Sequence, residues 1–260
     1  AIEELLISKK DLIIGSRFLN NSSIRGLSDK RKKGSSLANT LARHSLPKEY
    51  LKLTDIMSGF IVFKSRRVLQ LVERIDVNGF KFLYELLSVS HGTLDCKEIP
   101  LNFMPRKYGE SKLDIAIVWD FWISLIHSLS RRLIPRKAIS FALVGTTGVL
   151  VQLLISYSFM WFLGFTFQSV LPIAVVLAAT SNYLVNNWLT FRINRLRNKA
   201  LFIGLLKFLL VSSLPIVANV GLASSFYNFI SPNTFFSQLA GIIVVFIWNY
   251  AASSKLVWNT

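Results

Sequence analysis

From Ala138 to Phe191 the chain carries no charged residue, and that stretch limits what it can fold into. A soluble helix keeps a polar face toward water, and an uncharged run this long has none. It is also too long for a single membrane crossing. The stretch from Gly164 to Ser169 reads as a break, so helices are expected over about 138–163 and about 170–191. A helix of ~22 residues rises ~33 Å, enough to cross a hydrocarbon core of about 30 Å. Two further apolar runs, about 205–230 and about 235–257, flank the turn signal Ser231-Pro232-Asn233-Thr234. Four membrane spans are expected.

The charge distribution agrees with a division into two parts. The chain has 30 Lys and Arg against 14 Asp and Glu, a net +16. All the acids lie before residue 121, and none follows it. Arg131, Arg132, Arg136 and Lys137 precede the first span. Arg192, Arg195, Arg197 and Lys199 follow the second, and Lys255 closes the fourth. The 164–169 and 231–234 loops carry no cation. The positive-inside rule then places both ends and the middle basic loop in the cytoplasm. A nucleic-acid binder is disfavoured, because the cations flank apolar spans instead of lining an aromatic-interleaved groove. The single cysteine, Cys96, excludes a disulfide framework.

A repeat at an offset of 67 residues runs through the apolar half. Asn182-Tyr183 recurs as Asn249-Tyr250, and Phe141, Val144 and Gly145 match Phe208, Val211 and Ser212. Asn182, Asn186, Asn187 and Asn249 sit in apolar surroundings and are expected to hydrogen-bond between helices. A lipid or sugar pathway is the sharper reading of the same residues. These features resemble the GtrA-like family of four-span membrane domains, over about 137–260. The resemblance rests on Lys137, Phe141-x-x-Val144-Gly145, Asn182-Tyr183-x-x-Asn186-Asn187-x-x-Thr190-Phe191 and the echo at 249–258. It implies a membrane anchor or partner for a polyprenyl-phosphate glycosyltransferase, of the kind also considered as a flippase.

Between the halves, about 113–136 reads as one or two amphipathic helices. Asp120, Ser124, His127, Ser128 and Arg131 form one polar stripe, while Trp119 and Trp122 stand among apolar residues. A helix with this pattern directly before a span is expected to lie in the membrane interface.

Residues 1–112 read as α/β. Asp11 to Phe18 is a buried strand running into a loop that places Arg17 at the strand's carboxyl end, where ligands gather in open α/β sheets. Lys30-Arg31-Lys32-Lys33 is a basic run that suits either a solvated face or anionic lipid; a helix is expected after it, over about 35–45. In Asp55-Ile-Met-Ser58-Gly59-Phe60, a glycine after serine permits a tight turn with backbone close to a ligand. Helices are expected over about 65–75 and 80–90, the latter carrying Glu85, and an extended segment over 94–103. Arg106-Lys-Tyr-Gly109-Glu-Ser111-Lys112 suits a diphosphate, because arginine binds it bidentately and lysine adds a point charge. An ordinary basic loop near a membrane explains that segment equally well.

In their order, these motifs resemble the second half of a glycosyltransferase family 2 domain of the dolichyl-phosphate mannose synthase type. The set is Gly15-Ser16-Arg17, Arg31 with Ser35 and Asn39, Asp55-x-x-Ser58-Gly59-Phe60, Glu85, and Arg106-x-x-Gly109-x-Ser111-Lys112. The resemblance implies the carboxyl-terminal part of a GT-A, Rossmann-like fold over 1–112, interfacial helices over 113–136 and a four-helix membrane domain over 137–260. It implies transfer of a hexose, typically mannose from GDP-mannose, to a polyprenyl or dolichyl phosphate. Arg17 and Arg31, with Lys32 as a substitute, would bind the lipid phosphate. Asp55, Ser58 and Gly59 would shape the acceptor side, and Arg106, Ser111 and Lys112 would close over the nucleotide diphosphate. One departure is Ile61, where the family usually has arginine directly after Ser-Gly-Phe. The family's Mg²⁺ or Mn²⁺ is expected in the complete enzyme, yet no acidic cluster for it is visible in this chain, and His44, His91 and His127 are isolated. By family analogy about a hundred residues precede Ala1, and this chain alone is expected to be inactive. The expected partners are membrane lipid, polyprenyl or dolichyl phosphate and a nucleotide sugar; homo-oligomerisation stays open. The alternative is a non-catalytic membrane anchor or flippase-type protein with a degenerate soluble cap.

Overall fold

A computed structural model describes residues 2–20, 22–24, 29–63, 66–75, 81–103, 115–229 and 234–259. The chain divides into two compact units, Ala1–Ile134 and Pro135–Thr260.

The first unit is built on a small mixed sheet. Helix α1 (Ile2–Ile7) leads into strand β1 (Leu12–Ser16), whose five residues are all buried. An apolar run of this kind is buried on both faces and so belongs at the centre of a sheet. Short β2 is Ser23–Ile24, α2 is Asp29–His44, β3 is Ile61–Phe63, α3 is Arg66–Val72 and α4 is Phe82–Ser90. Strands β4 (Cys96–Pro100) and β5 (Asn102–Phe103) precede α5 (Ile115–Leu129). The main sheet has the order β3-β1-β4. Strand β1 runs antiparallel to β3, with Leu12 opposite Phe63, and parallel to β4, with Leu12 opposite Cys96 and Ser16 opposite Pro100. Strands β2 and β5 form a separate parallel pair. Leu12, Ile14, Ala42, Tyr50, Tyr84, Leu86 and Leu87 make up the centre of the core.

Helix α2 begins at Asp29, ahead of the expected start, so the basic run lies inside it. Lysine and arginine are good helix formers, and an aspartate at the first position suits the positive end of the helix dipole. Helix α4 ends at His91, which adopts a left-handed φ of 48°, followed by Gly92 at 84°.

Helix α5 turns its polar stripe inward. The Tyr84 hydroxyl donates to the Ser124 carbonyl at 3.3 Å, and the Ser88 hydroxyl donates to that of Ser128 at 3.0 Å. The Ser128 hydroxyl in turn donates to the Ser45 carbonyl at 3.0 Å. Just beyond the helix, Arg132 pairs with the buried Glu85 at 3.2 Å. Ile115, Val118, Trp122 and Leu129 are left exposed. Leu125 and Ile123 are buried beside the polar stripe, so the helix packs inward with part of its apolar surface left uncovered, unlike the usual helix on a water-soluble domain.

The second unit is helical. Helix α6 spans Arg136–Leu163, α7 Phe167–Val185, α8 Asn198–Phe229 and α9 Thr234–Leu256. A π-helical turn, Asn186–Thr190, extends α7. Helix α6 packs on α7, and α8 on α9. Gly164, at a left-handed φ of 67°, ends α6 within the expected break. Among the described residues, α6 is the helix long and apolar enough to count as a membrane span by length and composition. The expected turn at 231–233 lies outside the described residues. Helix α8 starts at Asn198, ahead of its expected apolar run, and its first turn is held against the bundle by Leu201, whose side chain packs on the aromatic cluster.

Candidate active site

The carboxyl ends of β1 and β4 meet at Ser16 and Pro100, and the loop of residues 51–60 folds over them. Asp55 is fully buried in that loop. Its carboxylate accepts from Arg17 Nε at 2.7 Å, Arg17 Nη2 at 2.9 Å and the Arg17 backbone N–H at 3.1 Å. A bidentate guanidinium–carboxylate pair of this kind is strong and directional. It fixes Arg17 at the point where the chain leaves β1. The guanidinium also lies 5.6 Å from the centre of the Phe18 ring.

Glu98, on β4, holds the loop from the other side. Its carboxylate accepts from the backbone N–H groups of Thr54, at 2.8 Å, and Asp55, at 2.9 Å, and from the Thr54 hydroxyl at 3.1 Å. The hydroxyls of Thr54 and Ser16 share a hydrogen bond of 2.5 Å. Ser58 Oγ donates to the Gly15 carbonyl at 2.6 Å and accepts from the Phe60 N–H at 3.1 Å. Asn39 joins α2 to the same loop, since its Oδ1 accepts from the Met57 N–H at 3.0 Å. The result is one polar cluster braced from β1, β4 and α2.

The residues singled out in the sequence are distributed unevenly here. Arg17, Asp55 and Ser58 are brought together. Gly59 is exposed with a φ outside the left-handed region, and an added Cβ there would meet nothing within 4 Å. The close approach falls instead at Gly15, where a Cβ would lie 2.7 Å from the Phe60 ring. Arg31 and Lys32 fall on the first turns of α2, and their side chains are outside the described residues. Arg106, Ser111 and Lys112 also lie outside the described residues. Sequence reasoning missed Glu98, Thr54 and the role of Ser16. No local signal marked Glu98, because the N–H groups it accepts from lie 43 and 44 residues away.

Among the described residues no group of three or more His, Cys, Asp or Glu could hold a metal ion. Asp55 is taken up by Arg17, and Glu98 by N–H and hydroxyl donors, so this cluster does not fit a hard-cation site. For Cys96 the protonated thiol is favoured near neutral pH. Burial, with Asp95 next in effect, pushes its thiol up to about 12.

In the second unit the expected bonds between helices are made by Asn187, whereas Asn186 accepts from the Thr190 hydroxyl of its own helical turn at 2.8 Å and the side-chain oxygens of Asn182 and Asn249 are buried with no hydrogen-bond partner among the described residues. The Asn187 amide accepts the Leu196 N–H at 2.8 Å and the Trp258 indole N–H at 3.0 Å, and donates to the Leu196 carbonyl at 3.1 Å. Trp258 stacks on Phe191 at 4.1 Å. The Ser140 and Thr190 hydroxyls bond at 2.6 Å, and the Tyr183 hydroxyl donates to the Leu201 carbonyl at 2.6 Å.

Residues 140–258 match the family model of the GtrA/DPMS transmembrane domain. The match covers nearly all of the second unit and indicates a membrane protein. Over its length the chain is similar to the dolichol-phosphate mannosyltransferase of Pyrococcus furiosus. The two are 26% identical over 262 residues, covering 99% of this chain and 71% of that protein.

Proposed function

We propose that this chain belongs to a membrane glycosyltransferase that moves a hexose, mannose from GDP-mannose, onto a dolichyl or polyprenyl phosphate. The carrying observation is the similarity to a dolichol-phosphate mannosyltransferase over 99% of the chain. The Arg17–Asp55–Glu98 cluster at the strand ends supports it. In this reading residues 1–112 belong to a GT-A domain. Arg17 offers the lipid phosphate a guanidinium whose direction Asp55 sets, with Arg31 and Lys32 nearby in sequence. Ser58 and Gly59 shape the acceptor side. Arg106, Ser111 and Lys112 hold the nucleotide diphosphate.

The reaction needs no dedicated base. A phosphate monoester has a second pKa of about 6, so an acceptor oxygen is already anionic near neutral pH. That oxygen forms a bond to the anomeric carbon, and the bond from that carbon to the nucleotide diphosphate breaks. The diphosphate leaves with the electron pair. The cations bring two anionic groups together and stabilise the leaving charge. A divalent ion, Mg²⁺ or Mn²⁺, agrees with the similarity, and its ligands are not supplied by this cluster.

The helical unit is read as four spans with both ends in the cytoplasm, because its cations gather at one end. The exposed apolar face of α5, with Trp122 on it, suits burial in the membrane interface.

The test is transfer of radiolabelled mannose from GDP-mannose to dolichyl phosphate by membranes expressing the native reading frame. Organic-extractable product is expected, and Arg17→Ala should reduce it about a hundredfold, on the scale of losing an electrostatic contact at the reacting groups. A membrane anchor or flippase-type protein would give no product with either form, and that result would overturn the reading.

A further inference from the structure

We propose that the charged end of the helical unit is a binding surface for the phosphodiester headgroups of anionic phospholipid. The proposal rests on the reading of that unit as membrane-embedded.

The packing gathers the cations. The Ser140–Thr190, Tyr183–Leu201 and Trp258–Asn187 hydrogen bonds tie together the start of α6, the end of α7, the start of α8 and the end of α9. Lys137, Arg195, Arg197, Lys199 and Lys255 are all exposed at that end. The opposite turn, Gly164 to Thr166, carries no charge, and no acid occurs after residue 120 to neutralise the cations. A surface with one sign of charge and no counter-charge of its own is complementary to an anionic leaflet.

The surface is also held in place. The buried amide of Asn187 grips both the N–H and the carbonyl of Leu196, and the Leu196 side chain packs on the aromatic cluster around Trp258. Arg195 and Arg197 therefore flank a fixed point and need little ordering to bind.

Helix α8 adds depth. Its 32 residues span about 48 Å, against about 30 Å of hydrocarbon, so roughly its first third rises through the headgroup layer. Lys207 lies about 14 Å along it. Its exposed neighbours Ile203, Leu206 and Leu210 are apolar, so this lysine stands on a lipid-facing surface. At that depth it stands at the inner edge of the headgroup layer, and its long side chain extends toward the phosphates. Arg195, Arg197 and Lys199 form an outer tier and Lys207 an inner one.

The experiment uses the full chain in neutral detergent micelles. Phosphatidylglycerol and phosphatidylcholine are titrated separately, and retained lipid is read by native mass spectrometry. Retention of phosphatidylglycerol over phosphatidylcholine is expected. The variant R195Q/R197Q/K199Q should weaken it about tenfold, and K207Q alone by a smaller factor. K10Q/K52Q, on the other unit, should leave it unchanged. Equal retention of the two lipids, or retention untouched by both α8-end variants, would overturn the proposal. So would a polyprenyl monophosphate that binds here and is not displaced by excess phosphatidylglycerol. Carbonate extraction separates the two failures: a chain released from membranes refutes the embedded reading, while a retained chain without lipid preference refutes only this proposal.

Discussion

Asp55 has no exposed surface, yet it lies next to a guanidinium that stays partly open, with 16% of the Arg17 side chain accessible. The pair shows how the fold directs one residue by burying another. Replacing Asp55 with Asn keeps the shape and removes the charge that the buried guanidinium contacts need. Unpairing a buried charge costs about 3–5 kcal/mol, with the lower end expected here because Arg17 reaches water. Thermal melting of Asp55→Asn should report that loss, and an unchanged midpoint would refute the account. Cys96 gives a pH test at the same scale. Its thiol is raised from 9.0 to about 12, chiefly by burial and then by Asp95. The folded state therefore favours the protonated thiol. Stability from this group is complete below pH 9 and declines as pH rises toward 12. Iodoacetamide labelling should be slow at pH 8 and accelerate only well above pH 9. Fast labelling at pH 8 would show an open thiol.

Among the elements, α5 and the π-turn after α7 carry the most information. The periodicity of α5 defines a polar stripe, but not which side packs on protein. Ser88 and Tyr84 decide that by bonding to the Ser128 hydroxyl and the Ser124 carbonyl, and Glu85 anchors Arg132 just beyond the helix. Leu125 and Ile123 are buried as well, and the apolar residues left outward are Ile115, Val118, Trp122 and Leu129, where lipid can cover them. At the other element, Trp258 fills the space beside Phe191, Tyr183 and Phe208 and is almost fully buried. Trp258→Ala removes a stacked ring and the hydrogen bond to Asn187. The expected loss is about 3–5 kcal/mol. It should appear as an earlier melt of the helical unit in detergent. A melt within error of the parent would mean that the cluster is dispensable.

At the scale of the molecule, the last acid, Asp120, and the start of the uncharged run, Ala138, bracket the point where the two compact units separate, between Ile134 and Pro135. The four-span reading places Asn194 and Thr166 on opposite sides of the membrane. In a Cys96→Ser background, Asn194→Cys should react with a membrane-impermeant maleimide only after the cytoplasmic face is opened. Thr166→Cys should react in intact cells, and the reverse pattern would invert the orientation. The helical unit was legible in the sequence because solvent class is a property of composition. A long stretch without charge cannot face water, and cations collect where helices leave lipid. Buried β1 was legible for the same reason, as an unbroken apolar run. Arg17, Asp55 and Ser58 could be picked out one by one, but their pairing could not. Glu98 lies 43 residues from the Asp55 N–H it accepts, and Asn187 lies 71 from the Trp258 indole that bonds to it. Contacts this distant leave no local periodicity. Which polar groups meet is decided only when the chain packs, because each buried donor or acceptor must then find a partner in place of water.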